Sequence, residues 1–249
     1  MTPSCLLRVA GLCAVLLLVA CAGSPALEPE ARRDSADIHF QLGVEHLRRN
    51  QFGQAESNLR RSLDLNDRSA DTHMAMGVLF QQTSRPAMAE QSFRKALALS
   101  PDNASVQNNL GVFLCERGQR QEGEQLLLKA ARSSRYLTPE AAWTNAAVCI
   151  RPLDSARAEG YLRQALTVNP LFPDALMQMA SISLSQQEYL RSRGFLSRYE
   201  SIGPPHPQTL LMRSRVERAL GDVAAARKYQ QLLITPFPES PEAEQAAQE

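Results

Sequence analysis

Excess charge of either sign is missing from this chain. Its 249 residues carry 27 Lys and Arg against 26 Asp and Glu. Once Arg8 is set aside as part of a leader, 26 positive charges face 26 negative ones. A nucleic-acid binder needs a surplus of basic residues to displace the counterions of phosphate, so that class is disfavoured. Lysine is scarce: Lys95, Lys129 and Lys228 stand among many arginines, which reads as a composition bias and not as a site. Catalytic signatures are missing as well. No phosphate-cradling glycine loop, nucleophile elbow or metalloprotease helix signature occurs. His39 and His73 hold equivalent places 34 residues apart. Rings on neighbouring helices about 8–10 Å apart could share a metal only with distortion, and no third ligand accompanies them. The expectation is a protein that is not an enzyme, with no cofactor, no metal and no small-molecule substrate.

What is present is a period. Gly43, Gly77 and Gly111 recur at intervals of 34 residues. With each glycine as the eighth residue of a unit, Ala55, Ala89 and Gly123 fill a second small slot, and Leu59, Phe93 and Leu127 fill a large apolar one. Small residues let two helices approach, and the bulky one fills the gap between them. This pattern resembles the tetratricopeptide repeat, or TPR. The resemblance implies an all-α solenoid of about six helix–turn–helix units in a right-handed superhelix. The units run over residues 36–69, 70–103, 104–137, 139–172, 173–206 and 207–240, leaving 241–249 as a C-terminal tail. In the fourth unit Trp143, Asn145 and Ala147 fit one residue late, so the turn between its helices is expected to be one residue short. The sixth unit is poorly patterned.

One apolar run breaks the otherwise mixed sequence. Residues 9–20 follow Arg8 and are too few to span a bilayer as a helix, but they match a signal-peptide core. The run ends in Leu18-Val19-Ala20-Cys21, which resembles a bacterial lipobox. Residues 1–20 are then a lipoprotein signal peptide and Cys21 the lipidated residue, with 22–35 a flexible tether. Ala22, in place of Asp, points to the periplasmic face of the outer membrane as the location. Two cysteines remain beyond the leader and the anchor, Cys115 and Cys149. They occupy slots two residues apart in adjacent units, which turns them by about 200° relative to each other. One can face the following helix while the other faces the preceding one. A disulfide is expected in an oxidising compartment; two buried thiols are the alternative.

A lipobox, a short tether and six TPR units together resemble the type IV pilus lipoproteins PilF and PilW. The residues 108–115 (Asn-Asn-Leu-Gly-Val-Phe-Leu-Cys) and 145–149 (Asn-Ala-Ala-Val-Cys) look like that family's third- and fourth-unit helices, cysteines included. The resemblance implies a pilotin: a lipid-anchored outer-membrane protein that binds the pilus secretin and promotes its localisation and oligomerisation. A general periplasmic adaptor recruiting envelope proteases or peptidoglycan enzymes is the alternative. In TPR stacks the first helix of each unit lines the binding face. Phe40, Val44 and Leu47, then Met74 and Val78, and finally the more polar Asn108, are the expected partner-binding residues. Asn109 and Asn145 are read as structural.

Overall fold

The computed structural model describes residues 28–248. Lipidation at Cys21 lies outside the described residues. Contacts divide the chain after Arg68 into two bodies. Thirteen helices, and no strand, occur among the described residues.

The first body is one helix pair, α1 (Pro29–Arg48) and α2 (Phe52–Leu65). Gly43 lies directly against Leu59: a Cβ added there would come within 2.7 Å of the leucine side chain. The helix pair is therefore spaced by one missing side chain and filled by a fully buried leucine, worth about 1.5–3 kcal/mol. The tether expected over 22–35 stops short of that range. Helix α1 begins at Pro29, a residue pre-set for a first helical turn. Arg32 then donates to the carbonyls of Leu65 and Asp64 at 2.9 and 3.1 Å, tying the extra turns of α1 to the end of α2.

The second body holds α3 (Ala70–Gln82), α4 (Pro86–Leu99), α5 (Ala104–Glu116), α6 (Arg120–Ala131), α7 (Pro139–Ile150), α8 (Ser155–Val168), α9 (Pro173–Ser185), α10 (Tyr189–Glu200), α11 (Pro207–Ala219), α12 (Val223–Ile234) and α13 (Pro241–Ala247). Polar caps open several of them: Ser69, Asn103, Asp154, Asp222 and Ser240 each accept a backbone N–H of the following turn. Within each unit the two helices pack antiparallel. Between units, α3, α5, α7, α9, α11 and α13 touch in succession, whereas α4, α6, α8, α10 and α12 do not touch one another. The row in closer contact is the inner row, so this body bends with its first helices on the concave side. The C-terminal residues 241–247 continue that row as a short capping helix.

The turns inside the units obey their own rule. Asn50, Ser84, Gly118, Gln187 and Gly221 all have positive φ. Each stands just past the end of a first helix, where one left-handed residue lets the last carbonyls be capped. In the second body, for example, Arg85 N–H bonds the Phe80 carbonyl at 2.8 Å and Gln119 N–H the Leu114 carbonyl at 2.8 Å. The residue two past the end of the first helix in the fourth unit is Pro152, whose ring forbids positive φ. That unit turns differently, with Leu153 and Asp154 N–H both bonding the Ile150 carbonyl. The expected short turn is thus corrected: residues 151–154 form a turn of four against three elsewhere, and α7 itself ends early.

Units five and six keep the spacing by other means. Ser192 Oγ donates to the Ala180 carbonyl at 2.9 Å, and Ser214 Oγ to the Ala226 carbonyl at 3.0 Å, in both cases across the closest approach of the two helices. The sixth unit carries charge where earlier units carry apolar side chains. Glu217 is fully buried; Arg193 Nε donates to its Oε1 at 3.0 Å, and Arg213 Nε and Arg193 Nη2 lie 2.8 and 2.9 Å from its oxygens as ion-pair contacts. Arg213 also donates to Ser197 Oγ and the Arg193 carbonyl, and its guanidinium lies 5.1 Å from the Tyr229 ring centre. The weak sequence pattern there is a buried ion-pair cluster set among apolar residues such as Leu210, Met212 and Val216.

Candidate functional site

The site is built from the first-helix row, because those helices present side chains to the concave side. In the first body Phe40, Val44 and Leu47 are half-buried on α1. The most exposed apolar residues of that helix are others, Ile38 at 60 % and Leu42 at 45 % exposure. Sequence reasoning did not single these out. They hold the slots that Thr72 and Met76 fill in the next unit, where both residues are buried, so the repeat register could have pointed to them. His39 faces Asn58, 3.1 Å from Nδ1 to Oδ1, a pairing within the first body.

In the second body Met74 and Val78 on α3 and Asn108 on α5 are half-buried. The asparagines fall into a repeated pattern. Asn109 Nδ2 donates to the Ser105 carbonyl at 2.9 Å and approaches Met74 Sδ at 3.4 Å. One unit on, Asn145 Nδ2 donates to Asn108 Oδ1 at 3.0 Å. The sixth residue of one unit therefore reaches the fifth residue of the unit before it. Asn145, read from the sequence as a packing residue, joins Asn108 on the inner face.

Cys115 and Cys149 lie across the same pair of helices. Their sulfurs are bonded at 1.98 Å, with the Cα atoms 5.3 Å apart. Gly123 makes room for this bridge: a Cβ there would collide with Cys115 Sγ and come within 2.7 Å of the Gly111 carbonyl oxygen. The glycine that replaces the alanine of earlier units is thereby explained. Beside the disulfide is a hollow of about 160 Å³ lined by Val112, Glu116, Arg120, Asn145, Val148 and Pro152 along with the two cysteines.

The outer helices are held by charge. Arg94 joins Glu90 at 3.0 Å and Glu122 of the next unit at 2.7 Å. Glu159 receives Arg163 at 2.6 Å and also Arg191 of the next unit. The Arg94 guanidinium holds the Glu122 carboxyl below the usual range, and Arg191, with Arg163, does the same for Glu159. Tyr161 donates to Glu124 at 2.7 Å, and burial with that carboxylate pushes its hydroxyl up to about 12. These groups brace the stack and converge on no cleft. Among the described residues no group of three His, Cys, Asp or Glu could hold a metal, and no helix is long and apolar enough to cross a membrane.

Known proteins match this architecture. Tetratricopeptide repeat models match residues 40–104 and 153–208, and a second such model matches 103–135. The solved structure of PilF from Pseudomonas aeruginosa is 30 % identical, covers 88 % of this chain and 99 % of its own, and superposes with a TM-score of 0.78. PilW, described as a widely conserved type IV pilus biogenesis factor, is 27 % identical over 85 % of this chain and 98 % of its own, with a TM-score of 0.78. YrrB, described as a TPR protein with an unusual peptide-binding site, is 15 % identical over 77 % of this chain and 98 % of its own, with a TM-score of 0.55, a likeness of fold alone. Comparison with curated proteins gives no significant match. The chain belongs to the tetratricopeptide repeat family of PilF and PilW.

Proposed function

We propose that this TPR protein is a pilotin of type IV pilus biogenesis, held at the periplasmic face of the outer membrane by lipid on Cys21. It binds the pilus secretin through its first-helix faces and promotes secretin localisation and oligomerisation there. The observation that carries this reading is the match to PilF, which spans nearly the whole of both chains. A repeat solenoid offers a binding surface and no enclosed pocket for catalysis, in keeping with a non-enzymatic role. The half-buried apolar residues Phe40, Val44 and Leu47 on α1 suit an amphipathic segment, in which a few anchors supply most of the energy. Two or three acyl chains on Cys21 would hold far more firmly than one.

Co-purification from solubilised membranes tests the reading. The secretin is expected among the proteins retained by the tagged wild-type chain, and Cys21→Ser is expected to leave the outer-membrane fraction. Retention of envelope proteases or peptidoglycan enzymes without any secretin would replace this reading with that of a general adaptor.

A further inference from the structure

We propose that a hollow at the end of α6 is a binding site for the phosphomonoester of a polyol. The inference does not depend on the pilotin reading, because the walls come mainly from α6 and the loop after it. Three observations converge. The first is size. The hollow holds about 560 Å³, within the range of small-ligand sites, and a second of about 300 Å³ shares Asp102, Ser133 and Arg135 with it. The second is charge. Lys129, Arg132 and Arg135 line the larger hollow against the lone carboxylate of Asp102. Lys129 is engaged by that carboxylate at 3.2 Å and by the Pro101 carbonyl at 3.3 Å. Arg132 and Arg135 meet no carboxylate among the described residues; Arg132 faces the Trp143 ring, 5.9 Å from its centre. By contrast Arg94, Arg157, Arg163 and Arg191 on the outer helices all pair with carboxylates. Two free guanidinium forks suit the several oxygens and the near-double charge of a phosphomonoester. The third is an unmet acceptor. Gln107 lines the hollow although it is only 1 % exposed. Its Nε2 donates to the Pro101 carbonyl at 2.6 Å, while its Oε1 receives no donor among the described residues. Leaving a buried acceptor unmet is costly. Ionised phosphate oxygens only accept and cannot meet it, whereas a hydroxyl of the ligand can. Phosphate for the arginines and a hydroxyl for Gln107 together describe a polyol phosphate.

The test uses the mature chain with Cys21→Ser, so that no acyl chain of its own enters a bilayer. Calorimetric titration compares glycerol phosphate with inorganic phosphate. Flotation compares phosphatidylcholine vesicles carrying lysophosphatidic acid with vesicles carrying phosphatidylglycerol at matched charge. Glycerol phosphate and lysophosphatidic acid present the same phosphomonoester and hydroxyl, one in solution and one on a lipid. The arm that binds therefore names the source. Glycerol phosphate should bind about tenfold more tightly than inorganic phosphate, the worth of one satisfied hydrogen bond. Lysophosphatidic acid should likewise recruit more protein than phosphatidylglycerol. Arg132→Ala and Arg135→Ala should each weaken whichever probe binds by about tenfold or more, as loss of a charged hydrogen bond does. Arg135, which makes no hydrogen bond or ion pair among the described residues, carries the test if Arg132→Ala melts early. The proposal is overturned if neither probe binds, if both substitutions leave binding unmoved, or if the probe that binds does no better than its comparison.

Discussion

Units two and three and units five and six of the second body share one repeat length and bring their helices together with different chemistry. In the former, the helices close over a missing side chain: a Cβ on Gly77 would sit 2.6 Å from the Phe93 ring, and one on Gly111 2.7 Å from Leu127. In the latter, a serine hydroxyl crosses the same gap to a carbonyl, and a carboxylate with two guanidinium groups is buried among apolar residues such as Met212 and Val216. The lesson is that the repeat constrains distance and not polarity. A polar solution survives when its buried charges are paired, and its penalty appears when one partner is taken away.

The contrast breaks most visibly at Glu217. Glu217→Ala leaves the buried Arg213 with only the longer contact to Glu200 at 3.7 Å and should cost about 3 kcal/mol. Arg213→Met with Glu217→Leu removes the charges together and should recover most of that loss, because a packed apolar core of similar volume is often as stable as a buried pair. Urea unfolding of the three proteins checks both statements.

The disulfide between units three and four comes next. Cys115→Ser with Cys149→Ser opens a loop spanning 34 residues of sequence and should cost about 3–4 kcal/mol. An equal shift of the urea midpoint on adding reductant to the wild type, absent in the double variant, is the expected check. Smaller effects follow at the helix contacts. Gly77→Ala pushes a methyl group into the Phe93 ring and should cost about 1–3 kcal/mol. Ser214→Ala only deletes one hydrogen bond to the Ala226 carbonyl and should cost about 1 kcal/mol. Reversal of that order would mean that the serine contacts, and not the glycines, set the spacing.

How much of this could be read beforehand varied with what each residue had to do. The glycine and leucine slots were legible because one steric rule repeats without interference. The start of α1 was not: Pro29 and the charged residues after it read as a linker, and only the bonds from Arg32 to the end of α2 show why they fold back into helix. Pro152 was visible in the sequence, but its effect depends on a positive φ that recurs in the other turns. The sixth unit looked degenerate because a buried Arg–Glu pair resembles a surface pair when only residue types are seen. At the site, Asn108 and Asn145 were each noticed but not paired, since their contact needs the register between neighbouring units. The expected binding residues from Phe40 to Asn108 fall in two separate bodies, so the sequence alone could only line them up by slot.

The smallest effect tests whether burial, and not the mere presence of an Arg–Glu pair, makes the difference between the two regions. Glu159, in unit four, also receives two arginines, Arg163 and Arg191, but on the outer face of the stack. Hydrogen bonding from Arg191 chiefly, against a burial penalty and with help from Arg163, holds its carboxyl below its ordinary value of 4.5. A carboxyl depressed in the folded state contributes stability that is fully present above its unfolded value and is lost as pH falls through its folded one. Glu159→Gln should therefore cost about 1 kcal/mol at neutral pH, less than Glu217→Ala, because the arginines that hold this carboxylate, Arg163 and Arg191, stay partly in water. The difference from wild type should shrink as the pH is lowered below about 4.5, where the unfolded carboxyl begins to bind protons. Urea midpoints at neutral pH and at successive steps below the carboxylate range would show this convergence. A Glu159→Gln loss at neutral pH as large as that of Glu217→Ala would mean that the outer arginine network, and not burial, governs the worth of these pairs.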